Sequence, residues 1–126
     1  MTHVLVVDDH AFFRSCLVDL INASGDIAVV GECADGSQVL PAVVELQPDV
    51  VLMDVRMPRL SGLDAAAALK HEQPHVRVVL LTSDTAESSR AAARVTGVAS
   101  YLLKGVDPDR ILDAIRGAAQ AATTSV

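Results

Sequence analysis

The sequence predicts an α/β domain built as (βα)5, doubly wound around one parallel sheet with strand order 2-1-3-4-5. Three observations lead there. Short β-branched apolar runs alternate with longer segments of helical spacing. The runs are continuously apolar, as strands covered on both faces must be. The 126 residues, 51% of them hydrophobic, suit one domain with its own core.

The five strand runs lie at residues 3–7 (HVLVV), 27–33 (IAVVGEC), 49–53 (DVVLM), 76–82 (VRVVLLT) and 99–103 (ASYLL). Between them, segment 11–23 puts Phe13, Leu17, Leu20 and Ile21 on one helical face. The second helical segment follows Asp35-Gly36-Ser37 and contains Pro41, so a short helix or one with an irregular start is expected there. Ser61 with Asp64, and Asp84 with Glu87, have the spacing of helix caps ahead of the Ala-rich pieces Ala65–Leu69 and Ala91–Ala93. Gly97 marks the end of the fourth helix. Asp107-Pro108 opens the fifth, over 108–120, with Ile111, Ile115 and Ala118 inward. Residues 1–120 are thus one domain, and 121–126 (AATTSV) read as a tail or the start of a linker.

Composition narrows the function. A net charge of −6 argues against this segment itself gripping a nucleic-acid backbone or an anionic membrane. No apolar run approaches the roughly 18 residues of a membrane span. The start, MTHVLVVDDH, lacks a basic region before its apolar run and meets two aspartates, unlike a signal peptide. A cytoplasmic chain is expected. Cys16 and Cys33 have no metal-type spacing and read as two small buried apolar residues. His3, His10, His71 and His75 are scattered and give little support to a histidine metal site.

In a sheet of this order, function gathers at the C-terminal strand ends beside the switch point between strands 1 and 3. Those ends carry Asp8-Asp9, Asp54, Thr82-Ser83 and Lys104. In VVLMDVRMP an apolar run stops at the carboxylate of Asp54, and a carboxylate in an apolar setting is costly unless paired. Three converging carboxylates repel one another, and a hard divalent cation, Mg²⁺ or Mn²⁺, resolves the repulsion. A lysine and a hydroxyl opposite suit a phosphoryl group, which needs charge neutralisation and oriented donors. A carboxylate is a known phosphoryl acceptor. The strand ends therefore read as Asp54 nucleophile, Asp8 and Asp9 metal ligands, Thr82 phosphoryl donor and Lys104 counter-ion. Taken singly, each has a plainer reading: a helix cap for the aspartates, a strand-end residue for Thr82, a solvated side chain for Lys104. It is their coincidence at the correct strand ends that favours the chemical one.

Taken together, Leu5-Val6-Val7-Asp8-Asp9-His10, Pro48 to Pro58 with Ser61-Gly62 after it, Leu80-Leu81-Thr82-Ser83 and Tyr101-Leu102-Leu103-Lys104 resemble the receiver domain of two-component response regulators. The resemblance covers residues 3–120. The DDH start, FFR in the first helix and YLLK look most like the NarL/FixJ subfamily. It implies a flavodoxin-like fold and a phosphorylation-activated switch, not a turnover enzyme. A sensor histidine kinase would donate its phosphoryl group to Asp54. Mg²⁺ would be held by Asp9 and Asp54, with Asp8 assisting and the Arg56 backbone carbonyl completing the set. Thr82 would be drawn in and Tyr101 would rotate inward, changing the face made by the fourth helix, fifth strand and fifth helix. Tyr101 otherwise reads as a half-buried strand tyrosine with its hydroxyl in water. Arg56 and Asp84 occupy positions that tune phosphoryl hydrolysis in the family, and their opposite charges suit a pair across the site mouth. The output implied is transcription, through a C-terminal DNA-binding domain not within this chain. Phosphorylation-dependent homodimerisation would use the first and fifth helices. Ala11, Ser100 and Gly105 depart from the subfamily pattern without removing a catalytic group.

Other functions fit less well. A non-phosphorylated binding module would not need all five site residues. A phosphohydrolase of the haloacid dehalogenase type has an Asp two residues after its nucleophile, where this chain has Arg56. A flavin or nucleotide binder needs a Gly/Ser/Thr-rich loop after strand 1, where this chain has Asp8-Asp9-His10.

Overall fold

The computed structural model describes residues 1–83, 94 and 96–124. Five strands form one parallel sheet: β1 (Thr2–Val7), β2 (Ile27–Cys33), β3 (Val50–Asp54), β4 (Arg77–Thr82) and β5 (Ser100–Leu103), in the order β2-β1-β3-β4-β5. Among the described residues, α1 (Ala11–Ala23), α2 (Val39–Leu46), α3 (Gly62–Glu72) and a C-terminal helix, Pro108–Thr124, pack on the sheet. The doubly wound sheet and its order match the sequence-based expectation. Among the described residues no helix is long and apolar enough to cross a membrane.

Strand side chains alternate between two cores, as a period of two requires. Leu5, Val7, Val51, Met53 and Leu80 face α2 and α3. Val4, Val6, Val50, Leu52, Val79 and Leu81 face α1 and the C-terminal helix. β3 is the centre of both layers, and all five of its residues are buried, Asp54 included. At roughly 1.5–3 kcal/mol for each fully buried aliphatic side chain, β3 is held from both sides. It is a rigid mount for whatever stands at its end.

Local punctuation agrees with the sequence in most places. The Ser61 hydroxyl accepts from the Asp64 N–H (3.2 Å), capping α3. Asp107 accepts from the Asp109 N–H (3.0 Å) ahead of the C-terminal helix. Gly97 adopts φ +72°, the left-handed turn that ends a helix. Pro41 falls in the first turn of α2, which is short and is preceded by a single 3₁₀ turn, Gly36–Gln38. The Asp84–Glu87 pattern and Ala91–Ala93 lie outside the described residues.

Two expectations need correction. Cys33 is buried, and burial pushes its thiol up to about 11. Cys16, however, is exposed, because it stands at the rim of an open groove that it lines with Phe13, Leu17 and Leu20. The C-terminal helix also continues past residue 120 to Thr124, carried by Ala121 and Ala122. Arg116 ties this helix to the β1–β2 side through Asp26, at 2.8 and 3.0 Å. That pairing holds the Asp26 carboxyl at about 2.

Gly62 sets how closely α3 approaches β3. A Cβ there would lie 2.1 Å from the Asp54 carbonyl oxygen, and the Gly62 N–H donates to Val55 O at 2.7 Å. The contact is with backbone, which cannot swing aside. Gly62→Ala is therefore expected to cost about 1–3 kcal/mol through overpacking. Urea unfolding should show a lower midpoint with an unchanged slope.

Candidate functional site

The parallel order places the strand ends side by side. Val7 pairs with Met53 and Asp54 with Leu81, so Asp8, just past β1, stands beside Asp54. Thr82 pairs with Leu103, and the Lys104 N–H donates to Thr82 O at 2.8 Å. That bond fixes where the Lys104 side chain starts. Its ammonium then reaches Asp8 Oδ2 at 2.9 Å and Asp54 Oδ2 at 3.2 Å. Lys104 thus bridges two carboxylates that are almost wholly buried, Asp8 at 1% and Asp54 at 4% exposure.

The electrostatics follow from that burial. Desolvation pushes the Asp54 carboxyl above its ordinary value. Lys104 opposes the rise, and the Asp8 charge adds to it. Such a carboxyl binds its proton more tightly in the folded than in the unfolded chain, so its charge costs stability as pH rises. Burial alone would lower Lys104, but Asp8 and Asp54 outweigh it and raise the lysine above its usual range. The bridge is therefore a charged lysine shared between two buried acidic side chains.

Several neighbours steady this arrangement. The Arg14 guanidinium donates to Asp8 O at 2.7 Å and to Glu32 Oε1 at 3.0 Å, clamping the turn after β1. The His10 N–H donates to Asp8 Oδ1 at 2.8 Å. The Arg56 N–H donates to Asp54 Oδ1 at 3.3 Å. Phe13 lies under the Lys104 ammonium, 4.6 Å from ring centroid to nitrogen, in cation–π contact. Arg59, at φ +68°, reaches Asp35 Oδ2 at 2.8 Å and pins the loop after β3 to the loop after β2.

The three expected carboxylates converge, and a histidine joins them. Asp8, Asp9, His10 and Asp54 each offer a ligand atom, all within 4.8 Å of one another. Lys104 pairs with two of these carboxylates and Asp9 adds a third beside them, so a divalent cation held by oxygen ligands fits both the charge and the donor set. The expected residues Asp8, Asp9, Asp54 and Lys104 are brought together. Thr82 is fully buried at the end of β4, next along the edge. Tyr101 lies half-buried on β5 with its hydroxyl shielded from solvent and its ring against the α2/α3-side core. Arg56 is exposed in the loop after β3, while Asp84 lies outside the described residues. Sequence reasoning missed His10, Arg14 and Phe13 as parts of the site. The signal for His10 was its place directly after Asp8-Asp9, and for Arg14 and Phe13 their position in the first turn of the following helix.

Comparison with known proteins agrees with this geometry. The family model of the response regulator receiver domain matches residues 4–116. The transcriptional regulatory protein YxjL of Bacillus subtilis is 40% identical over 118 residues, covering 93% of this chain and 54% of that protein. The transcriptional regulatory protein LiaR of the same organism is 38% identical over 120 residues, covering 95% and 57%. The chain therefore spans about half the length of these relatives. Among solved structures, the signal receiver domain of the Mycobacterium tuberculosis protein called NarL superposes with a TM-score of 0.89 at 36% identity, over 94% of this chain and 96% of that one. With a family match over nearly its whole length and a sheet of the same topology, this chain belongs to the response regulator receiver domain family of two-component systems.

Proposed function

We propose that this domain is a phosphorylation-activated switch that takes a phosphoryl group from a sensor histidine kinase onto Asp54. The observation that carries the reading is the bridge of Lys104 across the buried carboxylates Asp8 and Asp54, at 2.9 and 3.2 Å. A structural ion pair would not require a second buried acid beside the first, with Asp9 on its flank.

Each residue then has a chemical role. An Asp54 carboxylate oxygen attacks phosphorus in line while the bond to the donor breaks. Buried and rigidly mounted on β3, it needs no reorganisation to do so. Lys104 holds the non-reacting charge and is positioned to follow the phosphoryl oxygens. Asp8, Asp9, Asp54 and the Arg56 backbone carbonyl would hold Mg²⁺, or Mn²⁺. When bound, that ion supplies neutralisation of the charge that develops on the transferring group. The Thr82 hydroxyl donates to the phosphoryl group once formed, and Tyr101 responds to the shift of Thr82. The side chains of Arg56 and Asp84 set the rate of hydrolysis by governing the approach of water.

Residues 1–120 form the phosphoacceptor domain, and the chain beyond leads to an output module. The relatives YxjL and LiaR are named as transcriptional regulators, and this chain matches about half of each. We therefore assign transcription as the output, acting in the cytoplasm through a DNA-binding domain outside this chain. A homodimer through α1 and the C-terminal helix fits an apolar groove of about 190 Å³ that includes Phe13, Leu17, Leu20 and Ile111. Phe12, 84% exposed, stands at the start of α1.

Incubation with acetyl phosphate and Mg²⁺ should add one phosphoryl group by intact mass. Asp54→Asn should take up none, and labelling retained in that variant would contradict the assignment. After removal of the donor, Arg56→Ala should lose its phosphoryl group faster than the parent. Equal or slower loss would remove Arg56 from the hydrolysis role.

A further inference from the structure

His10 stands at the mouth of the acidic group, with its Nδ1 in hydrogen-bond reach of Asp8 Oδ1. It is the N-cap of α1, yet its side chain makes no capping hydrogen bond, and histidine is not among the residues favoured there. Instead its Nδ1 turns toward the strand ends. It lies 3.2 Å from Asp9 Oδ1, 3.3 Å from Asp8 Oδ1 and 3.9 Å from Asp54 Oδ2. The other histidines lie elsewhere: His75 faces Gln47, His71 stands beside Glu72, and His3 is exposed on β1.

One ring nitrogen thus faces three carboxylates. A single N–H serves one such acceptor well. A lone pair directed at a cation shared by all three is compatible with every one of these separations. Ligands of a single octahedral ion with bonds of about 2.1 Å sit about 3.0 Å apart when adjacent and about 4.2 Å apart when opposite. The three distances to His10 Nδ1 fall within or close to that span. The Asp8, Asp9 and Asp54 oxygens supply a hard donor set, and an imidazole adds the nitrogen donor that first-row transition ions accept more readily than Mg²⁺ does.

We infer that His10 is a further ligand to the divalent cation, and that it tilts this site toward Mn²⁺ or Co²⁺ and away from Mg²⁺. The inference rests on the metal-assisted reading of the site proposed above. His10 is 68% exposed at its side chain, so replacing it leaves the core intact, and His10→Gln keeps a polar side chain of similar reach without the imidazole.

The test is binding of Mn²⁺ to the whole chain, followed by electron paramagnetic resonance, with Mg²⁺ as competitor. In the parent, pulsed measurement on bound Mn²⁺ should show coupling to a directly ligated nitrogen, and His10→Gln should abolish it. Mn²⁺ affinity should fall in that variant by a larger factor than Mg²⁺ affinity does, and an equal fall for both ions would overturn the tilt. Mn²⁺ bound without nitrogen coupling in the parent, or with coupling that survives His10→Gln, would overturn the role of His10 and leave the carboxylate site standing. Failure of the parent to bind either ion would overturn both the inference and the metal-assisted reading beneath it.

Discussion

The ammonium of Lys104, shared between Asp8 and Asp54, is the interaction on which the site depends. Two carboxylates this deeply buried would repel each other and lose their hydration with nothing in return. One lysine, 2.9 and 3.2 Å from them, offsets part of that cost. It cannot offset all of it, because Asp54 remains raised and Asp9 adds a third charge nearby. The residual negative charge is what a divalent cation and an incoming phosphoryl donor would exploit. Breaking a buried pair by deleting one partner is far more costly than deleting both. The three residues are thus best understood as one unit.

The fold exists around this unit in a specific sense. β1, β3 and the end of β5 deliver its members, and the sheet order makes them neighbours. The two apolar layers hold β3 on both faces. Gly62 lets α3 approach the backbone of Asp54, while Arg14 braces the carbonyl of Asp8. None of these contacts is chemical, yet each removes a freedom that would blur the geometry by which the carboxylates meet. The cation–π contact of Phe13 with Lys104 also links the site to α1, the helix beside the apolar groove. Movement of Lys104 onto a phosphoryl group would change what Phe13 packs against.

Most of the fold was legible in the sequence because parallel strands buried on both faces leave a continuous apolar signature. VVLMD is all inside, and its charged last residue was conspicuous against that run. Asp8, Asp9, Asp54 and Lys104 were legible by the same logic, since strand ends can be counted from the runs. What escaped depended on side-chain direction. His10 looked like one of four scattered histidines, because sequence cannot say that an N-cap side chain turns away from its own helix. Cys16 was read as buried because a small apolar residue carries no marker of whether the groove it lines is covered. Arg14 entered the sequence reading only as part of FFR, yet its guanidinium reaches back to Asp8 O. The pairing expected between Arg56 and Asp84 falls outside the described residues. The extension of the last helix to Thr124 reflects two alanines that compositional reading had assigned to a tail.

Asp54 is a desolvated carboxyl beside Lys104, and its titration tests most directly whether that setting suits it to the proposed metal-assisted role. The side-chain carboxyl carbon of Asp54 can be followed by NMR against pH in the whole chain, with and without Mg²⁺. Without metal it should titrate above the ordinary value of 3.8, and saturating Mg²⁺ should lower its midpoint. An Asp54 carboxyl that titrates at or below the ordinary value, and does so with or without Mg²⁺, would contradict the account.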